Sequence, residues 1–455
     1  MTAEEQDKTR ARLIQEAKKQ ADIIRYIPPG QSDRLQEDER AKARAEPNKR
    51  LIEFFGIDNV FTNTDDHAYR RKFVSMTIDK MRMATRSTKK GAGEDWTGLR
   101  GDALTHVDEY LRLHTTKVNL AELVQFVTLK ISLEYLFEHA KVAMTRRLPQ
   151  DVTYFGRRIN ELWLESKKSH GATPQWKNEI ELHKALLAVT TMSGSIRVPG
   201  EFSDGPMDVG EDDEVDPLDP RRNPMNLLLP AYETMWRVVM RCVLEIQYRD
   251  SPDAAEWRSI LLGYLQDLRS EDITTQEAFM KKSKNGIAPV DIAKEIMRLY
   301  PPSRRVHRLF AGEIVKAEIE QTRRSTLFGD NAAGLFDPKR WQAIHPGLRE
   351  KAFRGESQAI AQQKFEEETL GFMPFAFVCT ADNTATGRFG LKMVLLLTAA
   401  ILSKLNDTKL NGTWQLDDAV DKLPPIGEPL RTDREAYGDL MLRGPPQETS
   451  GCGTQ

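Results

Sequence analysis

The stretch that decides the fold is Gly371-Phe372-Met373-Pro374-Phe375-Ala376-Phe377-Val378-Cys379-Thr380. It is aromatic and nearly without charge, and the apolar periodicity after it predicts a long helix over 387–405. A cysteine thiolate at the mouth of a helix is a soft, electron-rich ligand, and the helix N-terminus stabilises its negative charge. A lone cysteine is also commonly a small buried hydrophobic residue, so Cys379 alone leaves both interpretations open.

Two segments upstream carry charged residues at informative spacing. The first is Lys294-Glu295-Ile296-Met297-Arg298-Leu299-Tyr300-Pro301-Pro302. Glu295 and Arg298 are three positions apart on a predicted helix, so they share a face and can pair. On an exposed helix such a pair carries little information. The second is Phe336-Asp337-Pro338-Lys339-Arg340-Trp341, a loop that lies between this helix and Cys379.

A third segment predicts an apolar helix with an acid and a hydroxyl side by side. It is Leu227-Leu228-Leu229-Pro230-Ala231-Tyr232-Glu233-Thr234-Met235-Trp236-Arg237-Val238-Val239. Pro230 lacks an N–H, so it is expected to kink the helix and free a backbone carbonyl to which water has access. The hydroxyl of Thr234 has an ordinary alternative, which is a hydrogen bond back to its own helix.

In this order and at this spacing, the segments resemble the cytochromes P450, specifically the filamentous-fungal type of secondary metabolism. The resemblance runs from about Leu51 to about Leu405 and includes Ile159–Trp163 with Ser166 and Lys167. It implies that Cys379 is the axial thiolate of a haem iron. It also implies a buried structural triad, made of Glu295, Arg298 and Arg340, and an oxygen-activating group on the apolar helix, made of Ala231, Glu233 and Thr234.

The resemblance further implies which residues meet the haem. Residues 58–62 and 66–72 are similar to the stretch that enters the family's C helix, whose basic residues usually meet the haem propionates. The haem-binding residues implied besides Cys379 are Phe372, Arg308, His67 and Arg71. His307 lies in a comparable segment, although a lone histidine is more often a surface residue or a satisfied core residue.

The chain departs from the family pattern in two loops. The loop before the cysteine usually carries glycines. Either Phe375 takes the place of one of them, or Phe375 is the family's signature phenylalanine after Pro374 and the glycine-bearing residues before Phe377-Val378-Cys379 are missing. Lys339 stands where the family's loop has an acidic residue, whereas Arg340 is retained. We therefore expect haem binding to be retained, with the charge reversal at Lys339 tolerated.

The N-terminal part differs from the family pattern and looks shortened. Residues 1–26 are charged and contain no apolar run, so this segment cannot span a bilayer. We expect its helix to pack on the protein, to be a disordered arm, or to lie on a membrane surface. Its apolar residues fall at helical spacing, at Leu13, Ala17, Ala21 and Ile24.

Charge and cysteine content exclude several classes of function. The 66 basic and 68 acidic residues nearly cancel, so no overall field points to nucleic acid. The three cysteines have no paired spacing, which argues against a disulfide framework and for a reducing compartment. No nucleotide-binding glycine motif occurs in the sequence, so electrons are expected from a separate NADPH-cytochrome P450 reductase. We expect the protein in the cytoplasm or peripherally at the ER surface.

Periodicity predicts a mainly α fold with a minor β component, and the resemblance makes it a cytochrome P450-like haem-thiolate fold. Residues 1–50 are expected to be a charged leader, 51–424 the P450-like domain, and 425–455 a tail with a disordered end. Helices are predicted over 72–147, 152–169, 254–269 and 290–299 and from 225 onward, with strands between 306 and 320. The segment 203–222 is predicted to be a mobile surface loop.

The implied function is a haem-thiolate monooxygenase that oxidises an apolar small molecule with O2 and electrons from the reductase. In this function Thr234 and Glu233 would deliver the protons that cleavage of dioxygen requires. Two alternatives stay open. One is a P450-fold isomerase or dehydratase without external electrons, and the other is a non-catalytic haem-binding relative. Neither needs a proton relay, so the presence of Glu233 and Thr234 favours the monooxygenase.

Overall fold

Helices make up most of the chain that the computed structural model describes, which is residues 2–64, 67–87, 93–137, 140, 149–168, 175–191, 215–374, 388–407, 413–417 and 423–444. In chain order the helices are α1 (Ala3–Ile24), α2 (Glu37–Ala45), α3 (Arg50–Phe55), α4 (His67–Ala84), α5 (Thr97–Leu113), α6 (Leu120–Leu136), α7 (Pro149–Lys168), α8 (Ile180–Thr190), α9 (Met225–Val243), α10 (Ala254–Asp267), α11 (Thr275–Met280), α12 (Pro289–Leu299), α13 (Ile319–Arg323), α14 (Arg340–Ala343), α15 (Pro346–Phe353), α16 (Ser357–Thr369) and α17 (Phe389–Leu405). The strands are β1 (Lys117–Asn119), β2 (Arg305–Phe310), β3 (Glu313–Glu318), β4 (Gln415–Leu416) and β5 (Met441–Arg443). The predicted mainly α class with a minor β component is confirmed.

The centre of the fold is α9, which packs against α6, α12 and α17. Both α6 and α17 are buried along nearly their whole length, which is why their sequences show almost no polar face. Tyr232 on α9 is fully enclosed, and its hydroxyl lies close to Gly156 on α7. A Cβ at position 156 would lie 2.7 Å from that oxygen, so a glycine at this position makes room for the Tyr232 hydroxyl.

The β component is a three-stranded antiparallel sheet and a hairpin. In the sheet β5 lies between β1 and β4, and Leu442 faces Val118 on one side and Leu416 on the other. The hairpin joins β2 to β3 through Ala311 and Gly312, which have φ values of 48° and 88°. Positive φ at both positions is the turn geometry that matches the twist of the strands. This hairpin holds β2 against α1 and α2.

The N-terminal segment is packed into the fold. A capping box between Thr2 and Glu5 starts α1. The apolar stripe predicted for this helix is covered, because Ala21 and Ile24 pack with Phe310 of the hairpin and other buried residues. The stripe therefore faces protein rather than a membrane surface. Within the described ranges, no helix is long and apolar enough to cross a membrane.

The C-terminal segment 423–444 is also tied to the core. The backbone N–H of Leu430 donates to the hydroxyl of Tyr300, which follows α12, at 3.0 Å. The same hydroxyl donates to Glu245, and Glu245 pairs with Arg249 at 2.8 Å. This buried polar chain fixes the C-terminal segment beside α9, where it contributes to the site described below.

We expect Ile24→Ala to lower the free energy of unfolding by about 2–5 kcal/mol, because Ile24 is fully buried and its truncation leaves a cavity. Urea denaturation followed by circular dichroism measures this change. Lys18→Ala, at an exposed position of the same helix, is the control and should change the value by less than about 0.5 kcal/mol. Equal midpoints for Ile24→Ala and wild type would show that α1 is not docked.

Candidate functional site

Glu295 on α12 is the centre of a fully buried charge cluster, which we call the Glu295 cluster. Its carboxylate accepts two hydrogen bonds from Arg298, from Nη2 at 2.8 Å and from Nε at 3.0 Å. Nε of Arg340 donates at 2.9 Å, the indole N–H of Trp341 at 3.0 Å and the backbone N–H of Asp337 at 2.9 Å. The structure thus brings Glu295, Arg298 and Arg340 into direct contact.

The remaining guanidinium nitrogens hold the loop that leads to α14. Nη1 of Arg298 donates to the carbonyls of Arg323 at 3.1 Å and Ala332 at 2.6 Å. Nη1 of Arg340 donates to the carbonyl of Phe328 at 2.6 Å. This loop has little regular secondary structure, so the two arginines satisfy backbone carbonyls that would otherwise be buried without partners.

The Glu295 cluster also contacts the segment that leads to Cys379. The ring of Trp341 packs edge-on against Phe372, with centroids 4.7 Å apart. The preceding Gly371 has a φ of +90°, and a Cβ there would lie 2.6 Å from Thr322, so only glycine fits. The start of the predicted ligand loop is therefore fixed by the cluster, whereas Cys379, with the rest of 375–387, lies outside the described residues.

The charge state of Glu295 is set by its partners. Complete burial would raise the pKa of this carboxyl, but attraction and hydrogen bonding by Arg298, then Arg340, hold the pKa below its ordinary value. A carboxyl whose pKa is lower in the folded state adds stability above its unfolded pKa, and this stability is lost as the pH falls. The cluster therefore stabilises the protein at neutral pH and weakens in acid.

The charge reversal at Lys339 is compensated locally. Its Nζ lies 3.0 Å from Oδ2 of Asp253, directly before α10, and both side chains are partly exposed. An exposed pair of this kind contributes at most about 1 kcal/mol. The reversal leaves the buried side of the loop, with Arg340 and Trp341, unchanged.

Pro230 frees a carbonyl on α9, but a side chain takes it. Because Pro230 has no N–H, the carbonyl of Asn226 loses its helical partner. Nδ2 of Asn59 donates to this carbonyl at 3.1 Å, and the N–H of Asp58 donates to Oδ1 of Asn226 at 3.0 Å. The carbonyl that was expected to be open to water is thus bonded to Asn59, and the segment that precedes α4 is fixed to α9.

The two polar residues predicted to activate oxygen both have partners within the protein. The hydroxyl of Thr234 donates to the carbonyl of Pro230 at 2.8 Å, which is the ordinary alternative for this side chain. Glu233 is 1% exposed and forms an ion pair with Arg434 of the C-terminal segment. Ala231 is half-buried against the core on the same helix.

A cavity of about 430 Å³ lies beside Glu233 and Thr234. Its volume is in the range of small-molecule sites. Apolar side chains form part of its wall: Leu51, Ile57, Phe61, Leu229 and Val306. The rest of the lining is strongly basic, and Glu233 is the one acidic member among the described residues. The basic lining residues are Arg44, Arg50, Lys167, Arg237, Arg304, Arg305, His307, Arg308 and Arg434.

Two guanidinium groups share one aromatic ring in this cavity. Cζ of Arg434 lies 4.2 Å from the centroid of Trp163, and Cζ of Arg50 lies 4.8 Å from it. Arg241 on α9 donates to two backbone carbonyls just before Arg434, which fixes the C-terminal segment here. We call Arg50, Trp163, Arg434 and Glu233 the Trp163 cluster.

The neighbourhood of the Trp163 cluster disfavours positive charge. Burial lowers the pKa of Arg50. Desolvation, followed by repulsion from Arg434 and Arg50, lowers the pKa of Lys167 to about 8. Cations whose charged form is destabilised in this way in a cleft mark a candidate binding site for an anion.

A second pair of cations lies at Tyr26. Cζ of Arg308 is 4.4 Å from the centroid of the Tyr26 ring, and Nη1 of Arg44 is 3.4 Å from its hydroxyl. Arg308 is 5% exposed and donates to the neighbouring carbonyl of His307 at 2.9 Å. Nε of each arginine is buried without a hydrogen-bond partner in the described part of the chain. We call Arg44, Arg308 and Tyr26 the Tyr26 cluster.

The other predicted residues are placed as follows. Arg71 is exposed on α4, whereas its neighbour Arg70 is 7% exposed. The side chain of His67 lies outside the described residues. Cys242 on α9 is fully buried, and burial raises the pKa of its thiol to about 12, so it stays protonated. In the described ranges no group of His, Cys, Asp and Glu side chains is arranged to hold a metal ion.

Sequence reasoning missed two central residues of the cavity, Arg50 and Arg434. They lie in segments that the sequence assigns to a leader and a tail, and no local pattern separates either residue from its charged neighbours. Only the long-range contacts of both arginines with Trp163 reveal them. Trp163 itself belongs to a segment that the resemblance singled out.

Comparison with known proteins gives structural neighbours alone, since no family model and no curated protein matches the chain. The haem domain of a cytochrome P450DA mutant is 15% identical, with 88% of this chain and 81% of that chain covered and a TM-score of 0.45. A six-coordinated cytochrome P450 from Thermus thermophilus is 14% identical over 90% of this chain and 89% of that chain, with a TM-score of 0.46. A second cytochrome P450 from Thermus thermophilus is 14% identical over 90% and 87%, with a TM-score of 0.47. At these values the likeness assigns no activity.

We expect Glu295→Gln to lower the free energy of unfolding by about 3–5 kcal/mol, because a neutral amide leaves two buried guanidinium groups uncompensated. Denaturation at neutral pH measures the change. Asp253→Asn, which breaks the exposed pair with Lys339, is the control and should cost no more than about 1 kcal/mol.

The same pair of proteins predicts a pH dependence. Because the pKa of Glu295 is depressed in the folded state, the stability difference between wild type and Glu295→Gln should shrink as the pH falls below about 4. A difference that is small at neutral pH, or that grows in acid, would contradict the account of the cluster.

Proposed function

We propose that this chain is a haem-thiolate enzyme of the cytochrome P450 type that oxidises a small organic molecule. The observation that supports this most is the Glu295 cluster, which consists of the residues that the resemblance implies, in the implied order along the chain. A surface Glu-x-x-Arg pair would carry no weight. In contrast, the Glu295 carboxylate is 0% exposed and binds both arginines and Trp341, which makes the match to the implied triad informative. Through Phe372 it leads to Cys379, the proposed axial ligand.

The donor set of the cavity suits the two carboxylates of a haem. Arg308 and Arg44 of the Tyr26 cluster each bury an Nε that has no partner among the described residues. A buried guanidinium nitrogen without a hydrogen-bond partner is costly, and a carboxylate is its best partner. We assign the haem carboxylates to this cluster, with His67 and Arg71 as further candidates from α4. When bound, a thiolate-ligated haem supplies the chemistry that cleaves the O–O bond.

The residues of α9 determine what the protein contributes beside the haem. Ala231 keeps this face of the helix small, so that the helix can approach a planar ligand. The hydroxyl of Thr234 donates to the carbonyl of Pro230, and its oxygen keeps lone pairs for accepting a hydrogen bond. Glu233 holds Arg434 in place and can exchange a proton only after this ion pair opens.

We propose dioxygen as the oxidant and a separate NADPH-dependent reductase as the source of electrons. The adjacent Glu233 and Thr234 support this, as does the lack of a nucleotide-binding glycine motif in the sequence. The fungal resemblance supports a role in secondary metabolism, and we propose that the protein acts in the cytoplasm or at the ER surface.

A second function is favoured by one observation, the engagement of Glu233 by Arg434 and of Thr234 by Pro230. An enzyme of the same fold that rearranges or dehydrates an oxygenated substrate needs neither external electrons nor a proton relay to dioxygen. The dependence of product formation on NADPH and reductase separates the two functions.

We expect Cys379→Ser to abolish the red-shifted absorption of the ferrous carbon monoxide complex, because a serine oxygen is a much weaker ligand than a thiolate. Difference spectroscopy of purified protein measures the band. Cys242→Ala removes the buried thiol of α9 and should leave the band unchanged. A Cys379→Ser protein that keeps the band would show that another residue is the ligand.

We expect Thr234→Val to keep haem and to consume NADPH while its ratio of peroxide to product rises severalfold, because protons no longer reach dioxygen in the right order. Peroxide, NADPH and product are quantified with a substrate that shifts the haem spin state. Thr398→Val, which removes a buried hydroxyl on α17, is the control. Product formation without NADPH would support the second function, and an unchanged ratio would remove Thr234 from oxygen activation.

A further inference from the structure

We infer that the substrate of this cavity is an organic carboxylate, and that the Trp163 cluster binds its acid group. The inference deepens the proposed function and rests on it, because the bound acid is a substrate only if the protein is an enzyme. The binding of a carboxylate at this cluster depends on the cluster alone. A carboxylate substrate differs from the apolar small molecule that the resemblance implies.

The Trp163 cluster has a net positive charge. Arg50 and Arg434 carry two positive charges on one indole ring, and Glu233 supplies a single negative charge, which leaves one positive charge. Arg50 donates to the hydroxyl of Ser166 and has no carboxylate partner among the described residues. Burial, followed by repulsion from Arg50, lowers the pKa of Arg434 to about 8, and an anion beside the two guanidinium groups offsets this repulsion. One monoanion neutralises the cluster.

Four of the nine basic residues in the cavity lining form two groups. Of the others, Arg237 lies 3.9 Å from Glu233, and Arg304 and Arg305 pair with Glu320 and Glu318. The Tyr26 cluster contains Arg44 and Arg308, and the Trp163 cluster contains Arg50 and Arg434. The two haem carboxylates are matched in number by the first group. The second group then remains without an equal number of negative charges, and it lies on the side of α9 that carries Glu233 and Thr234.

The side chains that line the cavity also suit a carboxylate. Guanidinium groups present a planar fork that matches a carboxylate, and stacking on Trp163 orients this fork. Arg434 is 8% exposed, so a carboxylate bound to it is largely removed from water, where the attraction is stronger. Apolar residues including Leu229 and Ile57 line the rest of the cavity. Together these features fit an amphiphilic acid with its head at Trp163.

The test compares decanoate with decanol, which differ in the charged head. Isothermal titration of the purified protein at low salt measures both affinities, and haem content is determined on the same samples. We expect wild type to bind decanoate at least about tenfold more tightly than decanol, since one hydrogen bond to a charged group raises an affinity by about tenfold or more. High salt should reduce this preference in part.

Arg50→Met removes one charge without leaving a carboxylate behind, and we expect it to abolish the preference for decanoate while haem content stays unchanged. Arg50→Lys keeps the charge and should retain part of the preference. Arg157→Met is the matched control, because Arg157 is an exposed residue of the same helix as Trp163 and lies outside the cavity lining. It should behave as wild type.

Equal affinities of wild type for decanoate and decanol would overturn the inference and leave the proposed function intact. Loss of haem from Arg50→Met would also overturn it, because this arginine would then serve the cofactor. A charge preference in a protein that takes up no haem would keep the carboxylate site and refute the haem-thiolate function. If Arg50→Met does not fold, the wild-type preference and its salt dependence decide the question.

Discussion

The structure depends on one buried carboxylate, that of Glu295. Removing a charged carboxyl from water is costly, and the cost is offset only when every lone pair has a good partner. Arg298 of α12, Arg340 and Trp341 of α14 and the backbone N–H of Asp337 just before α14 meet this requirement. The outer guanidinium nitrogens then satisfy the carbonyls of the intervening loop. Together with the contact between Trp341 and Phe372, these bonds tie α12, the loop before α14 and the segment that leads to Cys379 to one another.

The cavity beside α9 depends on a second electrostatic constraint, an excess of cations. The protein brings Arg50 and Arg434 from opposite ends of the chain to one tryptophan, and Glu233 is the one carboxylate among the described residues that lines the same cavity. It places Arg44 and Arg308 at Tyr26 with buried nitrogens that lack partners among the described residues. Such an arrangement is unfavourable by itself, so it is best explained by ligands that carry negative charge. The proposed haem, with its two carboxylates, and the proposed acidic substrate would account for both groups.

The resemblance implied the contact of Glu295 with Arg340, whereas local patterns in the sequence predicted the mainly α class, the pairing of Glu295 with Arg298 and the freed carbonyl at Pro230. These features depend on helical spacing and on the chemistry of proline, which are visible within a few residues. The partner of that carbonyl, Asn59, and the partner of Glu233, Arg434, lie more than 160 positions away and follow only from tertiary packing. The packing of α1 was one of several alternatives, because an apolar stripe does not specify what covers it. The roles of Cys379, His67 and Arg71 stay predictions.

The central claim is that Cys379 binds a haem iron through its sulfur. Resonance Raman spectroscopy of the haem-loaded wild-type protein, prepared once with ordinary cysteine and once with cysteine labelled with a heavy sulfur isotope, tests it most directly. The account predicts an iron–ligand vibration that shifts on labelling and is missing from Cys379→Ser but present in Cys242→Ala. A protein that binds haem without any sulfur-sensitive vibration, or whose vibration persists in Cys379→Ser, would contradict the account.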